Sequence, residues 1–369
     1  MDWISLGLIV LGLVCLVIGG ELLVRGASAL AAVAGISPLV IGLTVVSFGT
    51  SSPELAVSLQ AGLSGNADIA LGNVVGSNIF NVLFILGLCA LIAPLIVSLQ
   101  VVRREVPLMI GVSFLLGLLA MDGRITRIEG LGLFIGILSY VTWSVISSRQ
   151  ETAQHEAAAE KLGVAQTPRP KADAQQILIN VGLVVGGLVV LVLGAGWLVD
   201  GAVELAQALG VSDVIIGLTI VAVGTSLPEV VTSVIATIRN ERDLAVGNVV
   251  GSNIFNILGI LGIAALVTPN GIGIPQSAIV FDIPVMIAVA VACLPIFFTR
   301  MMIARWEGFL FMGYYIAYTA YLILAATQHE ALPAYSNVMI AFVLPLTAIT
   351  LTVLAVRTYM KQRVQPKAS

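Results

Sequence analysis

The chain has 369 residues, 59% of them hydrophobic and only 10% charged, with a formal net charge of −3. A water-soluble domain carries roughly 25% charged residues, so this composition excludes a soluble globule and points to an integral membrane protein. With charge so sparse, its distribution along the chain carries more information than its sum, and no nucleic-acid partner is expected.

Eleven apolar runs, each near the length of about 20 residues that crosses a bilayer as a helix, fall at about 3–30, 37–62, 69–93, 104–122, 126–147, 177–208, 212–238, 244–267, 279–299, 306–327 and 337–357. The first and sixth exceed the bilayer thickness and should tilt or protrude. Met1-Asp2 provides no basic leader segment, so the first run reads as a retained helix. Cys15, Cys89 and Cys293 are scattered through apolar segments and read as packing residues, with neither disulfide nor metal spacing.

One long polar stretch, 148–176, separates two halves and reads as a mobile loop. If it is cytoplasmic and the spans alternate sides, fifteen of the seventeen basic residues fall inside, and only Arg124 and Arg127 fall outside. That positive-inside bias places the N-terminus out and the C-terminus in. The expected organisation is a first repeat over 1–147, the cytoplasmic loop 148–176, a second repeat over 177–327, and an extra helix with a basic tail over 328–369.

Residues 42–91 and 217–266 match without a gap at an offset of 175 positions, with 29 of 50 residues identical. Each half has five spans, an odd number, so the halves enter the membrane from opposite sides. The fold class expected is an all-α polytopic membrane protein: an inverted-topology repeat of 5+5 transmembrane helices plus one extra C-terminal helix, about 11 in total. Its localisation is then the plasma membrane, in a multi-pass arrangement.

Within the repeated block, Gly49-Thr50-Ser51-Ser52-Pro53-Glu54 and Gly224-Thr225-Ser226-Leu227-Pro228-Glu229 each put an acid just after a Pro. Pro53 has no N–H to give and should push Ser52 out of the helical region, breaking the helix at mid-membrane. Such a break is tolerated only where it is buried in protein or lines a cavity. The next helices carry polar stripes, Asn73, Ser77 and Asn81 in one half and Asn248, Ser252 and Asn256 in the other. Gly72/Gly76 and Gly247/Gly251 are small-residue pairs suited to close helix approach. Asp68 and Asp243 read as N-caps. Intramembrane acids are costly and are functional by default. Two carboxylates with hydroxyls, amide oxygens and freed carbonyls are hard ligands, which suit Ca²⁺ or Na⁺ rather than a soft transition metal.

The paired motifs GTSSPE…GNVVGSNIFN and GTSLPE…GNVVGSNIFN resemble the two alpha-repeats of the cation/Ca²⁺ exchanger superfamily, and within it the microbial sodium/calcium exchangers. The resemblance implies ten core helices whose first and sixth slide across a central site. It implies Glu54 and Glu229 as the carboxylates that bind Ca²⁺ and share Na⁺ sites, and Thr50 and Thr225 as carbonyl ligands. It also implies Ser51, Ser77, Ser226 and Ser252 as flanking Na⁺ ligands, Ser47 and Ala222 as carbonyl positions, and Asn81 as an amide ligand. Asn256 departs from the relatives that carry Asp there, which leaves two formal negative charges and argues against K⁺ dependence.

The expected function is therefore secondary antiport of Na⁺ against Ca²⁺ by alternating access. No enzyme activity and no cofactor are expected, and the partners are the two transported ions and the bilayer. The sequence does not set the oligomeric state, and a monomer is compatible with it. The alternatives are an H⁺/Ca²⁺ antiporter, in which the two Glu protonate, and a Ca²⁺-permeable channel.

Overall fold

The computed structural model describes residues 3–65, 67–161, 174–211, 213–298 and 301–364. The chain is nearly all helical, as it must be where no water is present to satisfy an open backbone. In chain order the helices are α1 (Trp3–Ala34), α2 (Pro38–Thr50), α3 (Ser52–Leu63), α4 (Ile69–Ile92), α5 (Val101–Asp122) and α6 (Arg127–Lys161). They continue with α7 (Ala174–Ala208), α8 (213–224), α9 (Leu227–Ile238), α10 (Arg242–Val267), α11 (Ala278–Phe298), α12 (Arg305–Ala326) and α13 (332–364). Among the described residues nine helices are long and apolar enough to cross a membrane, and α2 with α3, bent by 45°, makes a tenth when taken as one span.

Two expectations about boundaries change. The fifth span does not stop at 147: α6 runs on to Lys161, because the Ala- and Glu-rich start of the polar stretch is itself a good helix former. Residues 162–173 of that stretch lie outside the described residues. The Pro-containing motif bends the helix rather than unwinding it, and the break falls one residue earlier than expected. Ser51 (φ −83°, ψ 10°) and Ser226 (φ −90°, ψ 6°) leave the helical path, while Ser52 and Leu227 already begin α3 and α9. Proline just inside a helix start loses nothing, since N–H groups there have no intrahelical partner.

α4 and α10 are the most deeply buried spans, so the two copies of GNVVGSNIFN form the centre of the molecule. α1 and α7 lie against each other along their length at a glycine-lined crossing. A Cβ on Gly19 would fall 2.7 Å from the Leu191 nitrogen, and one on Gly194 would fall 2.9 Å from the Leu16 nitrogen. Ser5 of α1 donates to Glu204 of α7 at 2.6 Å, and Glu21 of α1 forms an ion pair with Arg239, just beyond α9.

Two short antiparallel ribbons join the repeats, Leu95–Ile96 with Met302–Ile303 and Arg124–Ile125 with Ile272–Gly273. Glu105 and Asp282, at the starts of α5 and α11, accept hydrogen bonds from Tyr140 (2.7 Å) and Tyr318 (3.1 Å). Sequence reasoning passed over this second matched pair of intramembrane acids, and both are satisfied by a neighbouring phenol.

Candidate functional site

The site is assembled where α2/α3 and 213–224/α9 bend, against the stripes of α4 and α10. Each bend follows a π-helical turn, Gly42–Val46 and Gly217–Val221, and two more such turns begin at or just before the last stripe residues, Asn81–Leu86 and Phe255–Leu261. Single π turns recur at functional sites because they re-aim a few side chains without ending the helix.

Glu54 and Glu229 are each 1% exposed. They are bonded across the repeat boundary: Ser226 Oγ donates to Glu54 Oε1 at 2.9 Å, and Ser51 Oγ donates to Glu229 Oε1 at 2.8 Å. Ser226 also reaches Ser77 Oγ at 3.2 Å. Asn73 Nδ2 holds the back of the first bend through the Glu54 carbonyl and Ser58 Oγ, both at 3.0 Å. Asn248 Nδ2 does the same in the other half, to Ser233 Oγ at 3.0 Å and the Glu229 carbonyl at 3.5 Å. The threonines close the ring, Thr50 Oγ1 to Asn248 Oδ1 at 3.2 Å and Thr225 Oγ1 to Asn73 Oδ1 at 3.5 Å.

The second oxygen of each carboxylate, Glu54 Oε2 and Glu229 Oε2, is buried and unbonded, and so are Asn81 Oδ1, Asn256 Oδ1 and Ser252 Oγ on α4 and α10. A buried, unpaired carboxylate oxygen is expensive, which makes this a candidate cation site. No three His, Cys, Asp or Glu side chains come together among the described residues, so any ion held here relies on hydroxyl and amide oxygens beside two carboxylates.

Hydrogen bonds bring together Glu54, Glu229, Ser51, Ser226, Ser77, Thr50 and Thr225, while Asn81, Asn256 and Ser252 lie on the same buried helices α4 and α10 with unpartnered oxygens. Ser47 is expected to contribute a carbonyl; its hydroxyl is engaged separately, donating to the carbonyls of Gly42 (2.6 Å) and Asn248 (2.9 Å). Its counterpart Ala222 is exposed. Asp243 is not an N-cap: Glu241 holds that position and Asp243 lies in the first turn, where the helix dipole also favours an acid. The side chain of Asp68 lies outside the described residues.

The small-residue pairs behave differently from each other. A Cβ on Gly247 would fall 2.6 Å from the Leu39 carbonyl, and one on Gly251 would fall 2.7 Å from Leu43 Cα, so α2 and α10 are in backbone contact. At Gly72, Gly76 and Gly217 a Cβ would meet nothing within 4 Å, so the matching approach of 213–224 to α4 is not made. Sequence reasoning also missed Asn78 and Asn253, which lie one residue beyond the serines of the stripes. Asn81 Nδ2 donates to Asn253 Oδ1 at 3.0 Å, and Asn256 Nδ2 donates to Asn78 Oδ1 at 2.9 Å.

Comparison with known proteins agrees with this architecture. The family profile described as sodium/calcium exchanger protein matches residues 4–146 and 179–324. The inner membrane protein YrbG of Escherichia coli is 39% identical over 269 residues, covering 73% of this chain and 82% of that protein. The sodium/calcium exchanger MaX1 of Methanosarcina acetivorans is 34% identical over 342 residues, covering 85% of this chain and 97% of its own. A solved structure of the sodium-calcium exchanger NCX_Mj superimposes with a TM-score of 0.74 at 30% identity, covering 87% of this chain and 99% of that one. Two matched half-sites, and a family profile that covers both halves of the chain, make this protein a member of the sodium/calcium exchanger family.

Proposed function

We propose that this chain exchanges Na⁺ for Ca²⁺ across a prokaryotic inner membrane, both ions using one site between Glu54 and Glu229. The observation that carries this reading is the set of five buried, unpartnered oxygens on Glu54, Glu229, Asn81, Asn256 and Ser252. Hard oxygens of this kind suit Ca²⁺, which takes about 6–8 in all and would complete its shell from backbone carbonyls or water, and they suit Na⁺ as well. One Ca²⁺ balances the two carboxylates. Sodium ions competing for the same oxygens cannot enter until it leaves, and that competition couples the two fluxes.

The family profile and the likeness to NCX_Mj support Na⁺ as the counter-ion, and one feature of the structure favours an exchanger over a pore. The backbone contact of α2 with α10 seals the site along one side, while the crossing of 213–224 with α4 stands open. One closed and one open side is what alternating access needs and what a continuous pore lacks. With N-terminus out and the polar stretch cytoplasmic, the open side faces outward. One chain supplies both half-sites, so a monomer suffices.

The test is ⁴⁵Ca²⁺ uptake into proteoliposomes loaded with Na⁺ or with acid. Uptake should follow the Na⁺ gradient and persist when the pH gradient is collapsed. Uptake that follows the pH gradient and ignores Na⁺ would overturn the Na⁺ assignment.

A further inference from the structure

A terminal amide has an oxygen at one end and an NH₂ at the other, and half a turn about its last torsion exchanges them. Only the oxygen is useful to a cation. For Asn81 and Asn256 to serve as oxygen ligands, something must fix which end faces the site. The Nδ2 of Asn81 is taken by Asn253 Oδ1 at 3.0 Å, and the Nδ2 of Asn256 by Asn78 Oδ1 at 2.9 Å. That leaves Asn81 Oδ1 and Asn256 Oδ1 as the unpartnered atoms.

The orienting amides would themselves be free to turn without a further constraint, and each has one. Asn253 Nδ2 donates to the thioether of Met109 at 3.4 Å. Asn78 Nδ2 donates to that of Met286 at 3.6 Å and to the Asn253 carbonyl at 3.3 Å. A thioether has no hydrogen to donate, so it distinguishes the two ends of an amide. Turning Asn253 would bring its oxygen against the Met109 sulfur and its NH₂ against the NH₂ of Asn81. All four asparagines and both methionines are at most 2% exposed, so no water is at hand to compensate.

Each chain of bonds crosses between the repeats twice. One runs from Asn81 in the first repeat to Asn253 in the second and back to Met109. The other runs from Asn256 to Asn78 and on to Met286. We propose that Asn78 and Asn253 are positioning residues, which hold the amide oxygens of Asn256 and Asn81 toward the transported cation through relays that end on Met286 and Met109. The inference rests on the reading that Asn81 and Asn256 face the ion.

Crossed connectivity gives a test that general destabilisation does not imitate: Ca²⁺-concentration dependence of ⁴⁵Ca²⁺ flux in proteoliposomes, arranged as double-mutant cycles. Asn253→Ala should raise the KM for Ca²⁺ about tenfold, with maximal flux changed far less. In an Asn81→Ala background the shift should vanish, and in Asn256→Ala it should persist. Asn78→Ala should behave in the opposite way, silent in Asn256→Ala and active in Asn81→Ala.

Equal shifts in both backgrounds, or no shift in either, would overturn the relay. If either alanine variant fails to fold, Met109→Leu and Met286→Leu remove only the terminal acceptor at nearly constant volume. They should show the same crossed pattern at about threefold, and a pattern without crossing would overturn the relay there too. Failure of the underlying reading looks different, because Asn81→Ala and Asn256→Ala would then leave KM unchanged on their own.

Discussion

The crossing of α2 on α10 and the crossing of 213–224 on α4 are built from matching sequence, yet only the first is closed. In the closed crossing Thr50, Ser47, Leu43 and Val46 are fully buried, and Gly42, Gly247 and Gly251 let the two backbones touch. In the open crossing Thr225 is half-buried, Val221 and Ala222 are exposed, and Gly72, Gly76 and Gly217 stand clear of any neighbour. One sequence difference bears on this: Ser47 donates across the closed crossing to the Asn248 carbonyl, and its counterpart Ala222 has no hydroxyl to do so. A Cβ at Gly72, Gly76 or Gly217 would meet no neighbour within 4 Å, and the proposed alternating access would have the same contact made there in a second conformation. Near-identical motifs can thus pack differently in one structure, closed in one half and open in the other.

The largest expected effect concerns the part where the halves are equal. Glu54 and Glu229 are buried alike and bonded alike, each by the other repeat's serine. Glu54→Gln and Glu229→Gln should therefore each lower Ca²⁺ flux by more than about 100-fold, since each takes one charge from the buried pair proposed to hold the cation. Flux that survives in either variant would remove the symmetric reading of the site.

The glycines come next, and here the halves should differ. Gly251→Ala drives a Cβ to 2.7 Å from Leu43 Cα. It should lower stability by about 1–3 kcal/mol, read from thermal unfolding in detergent. Gly76→Ala meets open space, so it should leave stability unchanged or raise it by up to about 1 kcal/mol through better helix propensity. It should still slow exchange about tenfold by hindering closure of the second crossing. Equal stability losses in the two variants would break the comparison.

Much of this site was legible beforehand, because duplication and burial cost act on the sequence directly. The acids and the Asn-Ser-Asn stripes were found from duplication and spacing, and the serines beside the acids from the family resemblance. Ser52 was misjudged, since the rule that proline excludes helix from the preceding residue yields at a helix start, where Ser51 carries the turn instead. Gly72 and Gly76 were read as a packing pair, and the motif does not say which conformation uses it. Asn78 and Asn253 were overlooked because they fall between the stripe positions. Their identity in both copies at the same offset was the available signal. The Met109 and Met286 ends of the relays belong to other helices and required the three-dimensional arrangement.

The alternation of the two crossings is tested most directly by a cross-link. Gly42 and Gly247 touch in the closed crossing, a Cβ on Gly42 falling 3.3 Å from the Gly247 carbonyl carbon, and Gly217 and Gly72 are their counterparts. In a background in which Cys15, Cys89 and Cys293 are replaced, Gly72→Cys with Gly217→Cys should form a disulfide on mild oxidation. Ca²⁺ flux, already slowed by the added side chains as in Gly76→Ala, should then stop and return to that slower rate on reduction. A cross-linked protein that continues to exchange, or a pair that never cross-links while exchange proceeds, would contradict the account.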